Sequence, residues 1–334
     1  MTRNVLEVKE LSTWFGTEDG QIAAVDRVSF VLKQGEVLSI VGESGCGKSV
    51  TAQSIMRLYE ENGSVAYDGS ILYDGADLLD HSPARMAKLR GNDISMIFQD
   101  PMSALNPVFT IGTQLTETIR AHRNVSRGEA RRRAIEVLNA VGYPDPETGL
   151  RRYPHELSGG MRQRVVIAIA IACEPKILIA DEPTTALDVT IQAQIVELIA
   201  TLAKDRGMAV VFISHDLGLL AEVSHRVAVM YLGQIVELGT VAELFSQPAH
   251  PYTRGLMASA LTLTGPLTHR LTTIAGTVPA ITDRPTGCVF QDRCAYTTTQ
   301  CRSQEPSTTE LTGDHQVRCW NHDQLPAVLE GEPA

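Results

Sequence analysis

The feature that most constrains this chain is the segment GESGCGKS, residues 42–49. It directly follows an apolar stretch, EVLSIVG, and directly precedes a helix-forming stretch that begins at Lys48. Glycines let a backbone wrap closely around an anion, and the N-terminus of the helix adds its partial positive charge. This context favours a P-loop over an ordinary glycine-rich turn. We therefore predict a phosphate-binding loop in which Lys48 reaches the β- and γ-phosphates and the Ser49 hydroxyl binds Mg²⁺.

Short apolar segments alternate with amphipathic ones along most of the chain. VLEVKEL, VDRVSFVL, DISMIFQ, KILIA and AVVFIS are typical of strands, and HRVAVMYLGQIVELG is typical of two strands around Gly233. Helices are predicted within residues 111–142, where Ser126 and Glu129 match a capping box, and after Ser158. Strands that alternate with helices predict an α/β fold with a parallel sheet covered on both faces.

The composition changes near residue 250, where Pro, Thr and Gly become frequent and the apolar periodicity fades. We therefore place a domain boundary there. The sequence predicts an N-terminal domain over residues 1–250, with a helical subdomain over about 101–174, and a small C-terminal accessory region over 251–334.

Two strand ends carry candidate catalytic side chains. ILIADEP ends in Asp181 and Glu182, and FISHD places His215 just after another strand. Solvated carboxylates or a structural histidine at such positions are common, but in a chain with a P-loop these ends lie on the ligand edge of the sheet. We predict that Asp181 holds Mg²⁺ through water and that Glu182 orients or deprotonates the attacking water. His215 would hydrogen-bond the γ-phosphate and hold the same water.

One further stretch, LSGGMRQR at residues 157–164, is not required by P-loop chemistry and resembles the signature of ABC-transporter ATPases. The order of motifs matches that family over roughly the first 245 residues: P-loop, Gln99, signature, ILIADE, ALD and His215. The resemblance implies an ABC-type nucleotide-binding domain that hydrolyses ATP with Mg²⁺. Its expected parts are a RecA-like parallel core, an antiparallel β subdomain and a helical subdomain.

The resemblance also implies a head-to-tail dimer, with two ATP molecules between the P-loop of one subunit and the signature of the other. Phe15 matches the adenine-stacking aromatic residue, with Trp14 as the alternative, and Gln99 would report the nucleotide state to a membrane partner. The residues implied to contact the chain's own ATP are Phe15, Gly42, Glu43, Ser44, Gly45, Cys46, Gly47, Lys48, Ser49 and Val50. Those implied to contact the partner's ATP are Ser158, Gly159, Gly160, Gln163 and Asp188, and those implied to hold Mg²⁺ are Ser49, Gln99 and Asp181.

A finer resemblance lies in GESGCGKSVTAQSIM, QDPMSALNP, DEPTTALDVTIQAQI and HPYTRGLM, which are similar to the oligopeptide/dipeptide branch of ABC importers. It implies that ATP hydrolysis powers uptake of di- or oligopeptides, with nickel, glutathione or an oligosaccharide as alternative cargo. Many ABC ATPases have Thr at the position of Val50, and Val at this position resembles the sequence of one of the two paralogous ATPases in that branch. The implied partners are therefore a paralogous ATPase subunit, two transmembrane permeases and an extracytoplasmic substrate-binding protein.

A different class of function, a non-transport ABC ATPase acting on nucleic acid or ribosomes, is disfavoured. The net charge is −10, whereas a nucleic-acid binder normally carries a basic excess, so we expect no nucleic acid among the partners.

The start of the chain lacks the apolar region of a secretory signal, and the most apolar run, VVIAIAIAC, has about half the length of a membrane span. We expect a peripheral protein, held by permeases on the cytoplasmic face of the inner membrane.

Four of the six cysteines lie near the C-terminus, in GCVFQDRCAYTTTQC and HQVRCW. A reducing cytosol disfavours disulfides, and the spacing lacks the C-x₂₋₄-C unit usual in zinc sites. Four thiolates from a looping segment can hold an iron–sulfur cluster. The tail resembles the C-terminal extension of the same importer ATPases, some of which carry a 4Fe-4S cluster. We predict such a cluster at Cys288, Cys294, Cys301 and Cys319, with Zn²⁺ as the alternative and the absence of any metal also open.

Overall fold

The structure is a computed structural model that describes residues 3–18, 20–59, 63–100, 104–185, 187–261 and 274–326. The chain divides into two compact units. The first unit consists of Met1–Leu6, Leu32–Val37 and Asp80–Ile213, and the second of Glu7–Val31, Leu38–Leu79 and Ser214–Ala334. The helical subdomain expected over residues 101–174 falls within the first unit, and the region expected over 251–334 falls within the second.

The strands along the described residues are β1 (Asn4–Thr17), β2 (Gly20–Lys33), β3 (Val37–Val41), β4 (Val65–Tyr73), β5 (Ala76–Asp77), β6 (Ile94–Ile97), β7 (Ile177–Asp181), β8 (Ala209–Ser214), β9 (Arg226–Tyr231), β10 (Gln234–Thr240), β11 (Thr309–Glu310) and β12 (Gln316–Val317). The α-helices are α1 (Lys48–Ile55), α2 (Pro83–Leu89), α3 (Ile111–His122), α4 (Arg127–Ala140), α5 (Pro146–Gly149), α6 (Gly159–Ile171), α7 (Val189–Arg206), α8 (Leu217–Ala221), α9 (Val241–Ser246), α10 (Pro251–Leu261) and α11 (Thr299–Ser303).

The first unit is built on three parallel strands. β7 lies between β6 and β8, with Ile177 opposite both Ile94 and Ala209. Every residue of β7 and β8 is buried, as expected for parallel strands covered on both faces. The segment DISMIFQ forms a shorter strand than predicted: β6 covers only Ile94–Ile97.

Helices α3, α4 and α6 of the first unit pack against one another. The predicted capping box is confirmed: the Glu129 amide donates to Ser126 Oγ at 3.3 Å, and the Ser126 amide donates to Glu129 Oε2 at 2.8 Å. These two bonds satisfy N–H groups that the first turn of α4 would otherwise leave unpaired.

The second unit contains two sheet regions. One is a four-stranded sheet in the order β2-β1-β4-β5. In the other, β3 runs parallel to β9, β9 pairs antiparallel with β10, and β10 pairs antiparallel with β12, where Glu237 lies opposite Val317. The two strands predicted around Gly233 are therefore confirmed. Since β12 lies beyond residue 300, the C-terminal region adds a strand to the sheet that precedes it in sequence.

Among the described residues, no helix is both long and apolar enough to cross a membrane.

Candidate functional site

The predicted P-loop lies in the second unit, between β3 and α1. All five residues of β3 are buried, which fixes the point where the loop begins. Gly47, just before α1, has a φ of 103°, in the left-handed region that favours glycine. A Cβ atom at Gly42 would lie only 2.2 Å from the carbonyl oxygen of Met230. At these two positions, the wrapped path of the loop depends on glycine.

Lys48 folds its side chain into this loop. Its ammonium donates to the carbonyl oxygens of Gly42 at 2.8 Å and Glu43 at 3.0 Å, and the residue is only 4% exposed. A cation is thereby held inside the turn where the phosphate was predicted to bind. Ser49 and Val50 follow half-buried in the first turn of α1, and Ser44 and Gly45 are exposed.

Cys46 packs inside the loop. It is fully buried, and burial raises the pKa of its thiol. The Lys48 ammonium lies 3.7 Å from its sulfur. A buried protonated thiol behaves as a small apolar side chain.

Phe15, the residue matched to the adenine-stacking position, lies half-buried on β1. Its ring meets that of Tyr59 edge-on, with 4.9 Å between centroids and an interplanar angle of 89°. This contact fixes the orientation of the ring.

A predicted Mg²⁺ ligand, Gln99, and a predicted catalytic residue, Glu182, meet at the end of β7 in the first unit. Gln99 Nε2 donates to Glu182 Oε2 at 2.7 Å, and Thr185 Oγ1 donates to the same carboxylate oxygen at 3.2 Å. Asp181, the last residue of β7, is buried. Glu182 has a φ of 43°, a left-handed conformation that is uncommon for a non-glycine residue. Such strain is often found at functional sites, where the surrounding structure maintains it.

His215, predicted to contact the γ-phosphate, belongs to the second unit. It follows directly after β8 and its side chain is exposed. The next residue, Asp216, caps α8 by accepting from the Leu219 amide at 3.0 Å. The histidine is therefore held at a strand end rather than packed into a core.

The signature segment begins α6. Ser158 is the N-cap of this helix and accepts a hydrogen bond from the Met161 amide at 3.4 Å. Ser158 and Gly159 are exposed, and Gly160 is half-buried. The N-terminus of α6 therefore lies at the surface, where its partial positive charge is available to an anion. Asp188 is likewise exposed and caps α7, accepting from the Ile191 amide at 3.0 Å.

Gln163 differs from the rest of the signature segment. It is fully buried, and neither polar atom of its side-chain amide has a hydrogen-bond partner among the described residues. This side chain lies in the second turn of α6, covered by its own chain. Its contact with the partner's ATP stays a prediction.

The four tail cysteines are free thiols, with Cys288 and Cys301 buried and Cys294 and Cys319 half-buried. Burial raises the pKa of Cys288 to about 11 and that of Cys319 to about 12, and the neighbouring tail thiols contribute to both rises. Among the described residues, no three His, Cys, Asp or Glu side chains form a group that could hold a metal ion. His315, in the same region, hydrogen-bonds Glu237 through Nε2 at 2.8 Å.

These elements define the class of protein. The family model "ABC transporter" matches residues 25–185. A solved dimer of the ATP-binding cassette MJ0796, bound to ADP and phosphate in a post-hydrolysis state, is similar with a TM-score of 0.63 and 28% identity, over 71% of this chain and 98% of that one. The cassette cbiO1 of Clostridium perfringens, part of the ABC transporter complex cbiONQ, has a TM-score of 0.62 and 26% identity, over 78% and 95% of the two chains. The chain is an ATPase of the ABC class.

The particular family follows from the C-terminal part. The family model "oligopeptide/dipeptide transporter, C-terminal region" matches residues 236–301. The dipeptide transport ATP-binding protein DppD of Bacillus subtilis is 50% identical over 98% of both chains. DppD of Escherichia coli is 49% identical over 94% of this chain and 96% of that one, and the oligopeptide transport protein OppD of Bacillus subtilis is 50% identical over 97% and 91%. The chain belongs to this family of ABC-transporter ATP-binding subunits.

Two residues that contact the P-loop were not identified from the sequence. Tyr252 and Arg293 both hydrogen-bond Glu43. The available signals were the HPYTRGLM motif, which indicated only a family, and the position of Arg293 next to Cys294. Neither pattern predicts a contact with a loop more than 200 positions earlier in the chain.

Proposed function

We propose that this ATPase powers the import of di- or oligopeptides, by coupling ATP hydrolysis to a membrane permease. The observation that carries the proposal is the likeness, over nearly the whole chain, to dipeptide and oligopeptide transport ATP-binding proteins. Nickel, glutathione and oligosaccharides are the alternative cargo, because selectivity would belong to the binding protein and the permease rather than to the ATPase subunit.

We propose the residue roles that the motifs and the family resemblance imply. Lys48 would neutralise the β- and γ-phosphates, and Ser49, Gln99 and Asp181 would hold Mg²⁺. Glu182 would accept a proton from the attacking water, or orient it, and its carboxylate accepts a hydrogen bond from Gln99. His215 hydrogen-bonds the γ-phosphate, and its exposure leaves the imidazole accessible to do so. Phosphoryl transfer then needs little covalent chemistry from the protein beyond positioning and charge stabilisation.

We also propose that the working unit is a head-to-tail dimer with a paralogous ATPase. The exposed N-terminus of α6, with Ser158 and Gly159 at its start, supports this arrangement, since its N–H groups can receive a γ-phosphate held by another subunit. Asp188, exposed at the N-terminus of α7, would couple the two sites.

The permease would dock on an apolar surface of the first unit, near Gln99. Phe98, Val108 and Phe109 are large apolar side chains of this unit that are exposed by 41%, 70% and 45%. Phe98 also lines a cavity of about 460 Å³ together with Met96, Leu105 and Ile169. Because Gln99 adjoins Phe98 and bonds Glu182, this surface is suited to report the nucleotide state to a membrane partner. With an extracytoplasmic substrate-binding protein delivering cargo, the chain would work at the cytoplasmic face of the inner membrane.

For the tail we propose a 4Fe-4S cluster held by Cys288, Cys294, Cys301 and Cys319, with Zn²⁺ as the alternative. What supports the proposal is that all four thiols are free and that neighbouring tail thiols contribute to the raised pKa of Cys288 and of Cys319. Because the described residues hold no group of three metal-ligating side chains, binding would have to draw the four thiols together. Thr298 Oγ1 and Asn321 Nδ2 also lie 3.3 and 3.8 Å from the Cys301 sulfur, as partners that could hydrogen-bond a ligand. The cluster would cross-link the tail segment, and the protonated thiols would have to lose their protons to bind it.

The metal proposal is tested on anaerobically purified protein by iron and zinc analysis and by visible absorbance. A Cys288→Ser variant should lose the metal, whereas Cys173→Ala, a buried cysteine outside the tail, should retain it. Wild-type protein that contains neither metal after anaerobic purification would contradict the proposal.

The catalytic proposal is tested with Glu182→Gln. We expect ATP affinity within about threefold of wild type and a fall in phosphate release of about 100-fold or more, because the carboxylate acts on the water rather than on the nucleotide. Lys48→Ala should instead weaken nucleotide binding. Glu197→Gln, which changes an exposed carboxylate on α7, is the matched control and should keep wild-type turnover. Wild-type turnover in Glu182→Gln would show that Glu182 is not a catalytic residue.

The cargo is tested by reconstituting the chain with its permeases and binding protein in vesicles. ATP-dependent uptake of a labelled dipeptide, competed by unlabelled peptides and not by nickel, glutathione or an oligosaccharide, is the expected result. Uptake of nickel, glutathione or an oligosaccharide instead of the peptide would contradict peptide import and identify that compound as the cargo.

A further inference from the structure

The second residue of the P-loop is held by groups from the C-terminal part of the chain. The Glu43 amide donates a hydrogen bond to the Tyr252 hydroxyl at 2.8 Å. Tyr252 is fully buried at the start of α10, so its hydroxyl is a fixed acceptor. A backbone N–H of the phosphate-binding loop is therefore oriented by a side chain that follows it by 209 positions.

The carboxylate of Glu43 is held at the same time by Arg293. The two guanidinium nitrogens Nη1 and Nη2 lie 2.6 and 3.1 Å from Oε2 and Oε1, a bidentate pair. The Arg293 side chain is only 5% exposed, and that of Glu43 is 32% exposed. The pair is thus partly shielded from water, where charge interactions are stronger than at a free surface.

Arg293 is itself held on several sides. Its Nε donates to the carbonyl oxygen of Ala275 at 2.9 Å, and Nη2 donates to that of Gly276 at 3.3 Å. Its guanidinium carbon lies 5.8 Å from the ring centroid of Tyr231 and 5.9 Å from that of Phe290. Aromatic rings at this distance stabilise a cation and restrict it to one position.

Tyr252 is anchored by a buried polar network. Its amide donates to His250 Nδ1 at 3.1 Å. The amides of Ala249 and His250 donate to the carboxylate of Glu237 on β10, at 2.7 and 2.8 Å. The residues HPY of the family motif therefore connect the sheet of the second unit to the P-loop.

We propose that Arg293 and Tyr252 are positioning residues for the P-loop, and that Arg293 neutralises Glu43 so that the loop can accept a triphosphate. A carboxylate within an anion-binding loop would repel the phosphates unless a cation balanced it. Arg293 lies between Cys288 and Cys294 in the chain, so the fold of the thiol-bearing segment sets where this cation stands. The inference rests on the nucleotide role proposed for the P-loop.

The test is a charge-compensation experiment read out as ATP binding by titration calorimetry. We expect Arg293→Met to raise the Kd for ATP about tenfold, because a Glu43 carboxylate left without its cation would repel the triphosphate. The double variant Glu43→Gln/Arg293→Met removes both charges and should return the Kd to within about threefold of wild type. Arg302→Met, which removes an exposed arginine of the same tail, is the matched control and should bind ATP as wild type does.

Kinetics separate positioning from a merely structural role. Arg293→Met should raise KM for ATP and leave kcat nearly unchanged, because the arginine acts on binding rather than on the water. Arg293→Lys, which retains the charge without the bidentate geometry, should fall between wild type and Arg293→Met.

Two outcomes would overturn the inference: a folded Arg293→Met variant with wild-type Kd, or a double variant that binds as weakly as the single one. Either can occur while wild-type protein binds and hydrolyses ATP, so failure of this inference is distinguishable from failure of the proposed function. Wild-type protein that does not bind ATP would overturn both.

Discussion

The ionic network around Asp26 gives a sharp test of how the C-terminal region is attached within the second unit. The Asp26 carboxylate, on β2, accepts hydrogen bonds from Arg27 Nε at 3.0 Å and Gln234 Nε2 at 2.7 Å, and it contacts the Arg284 guanidinium. Glu305 accepts from Arg27 at 2.6 Å and lies 3.7 Å from Arg284. The network therefore joins β2 and β10 to residues beyond position 280.

Asp26 is charged at neutral pH because of these partners. Burial alone would raise the pKa of Asp26, but the hydrogen bonds from Arg27 and Gln234 and the charge of Arg284 outweigh it and hold the pKa well below its usual range. A carboxyl whose folded-state pKa is lowered stabilises the fold above its unfolded-state pKa of about 4, and this stabilisation is lost only as the pH falls below that value. Its contribution is therefore constant between pH 6 and pH 8.

We expect Asp26→Asn to lower the free energy of unfolding by about 2–3 kcal/mol. Breaking a fully buried ion pair costs about 3–5 kcal/mol. The side chain of Asp26 is 10% exposed and that of Arg27 is 44% exposed. Solvent screening therefore places the cost of Asp26→Asn at or below the lower end of that range. The variant also leaves the guanidinium groups of Arg27 and Arg284 facing one remaining carboxylate.

Urea unfolding followed by tryptophan fluorescence measures this loss, since Trp14 and Trp320, the two tryptophans of the chain, both belong to the second unit. The matched control is Glu7→Gln, which removes a carboxylate 2.9 Å from Lys9 in an exposed pair and should cost less than about 0.5 kcal/mol. If Asp26→Asn costs no more than this control, the reasoning that the network is a shielded, coupled unit is refuted.

Two further predictions concern buried polar groups. Burial lowers the pKa of His250 to about 4, against the opposing effect of Glu237, so the unfolded chain takes up a proton near pH 6.5 while the folded one does not. The free energy of unfolding should therefore fall by about 2 kcal/mol from pH 6.5 to pH 5, and by clearly less in His250→Asn; equal pH profiles would contradict this. Gln163→Met replaces a buried amide that has no partner among the described residues, and should raise the free energy of unfolding by about 1–2 kcal/mol in urea titrations. A fall of similar size in the free energy of unfolding would instead mean that the Gln163 amide is hydrogen-bonded.

Much of the fold was predictable from local patterns. The P-loop, the capping box at Ser126 and the strands around Gly233 depend on neighbouring residues, and hydrophobic periodicity or cap chemistry specifies them directly. The meeting of Gln99 with Glu182 could be anticipated, because parallel strands place their carboxyl ends at one edge of a sheet.

The boundaries were less predictable, since tertiary packing decides where an element ends. β6 stops at Ile97, although the apolar pattern continues, and β12 joins a sheet that precedes the expected boundary near residue 250. Gln163 shows the same limit within a motif: the signature pattern does not indicate that the packing of α6 buries this side chain.

The sequence by itself determined the chemistry of this protein: an anion-binding loop, two carboxylates at a strand end, and a second helix N-terminus in the signature, each encoded within a few residues. Only the tertiary structure decided which charges face one another. Glu43 and Arg293 are 250 positions apart, and Asp26 and Arg284 are 258 apart. Local patterns specify a turn or a helix because its hydrogen bonds are local, whereas a pairing of distant charges depends on how the intervening elements pack.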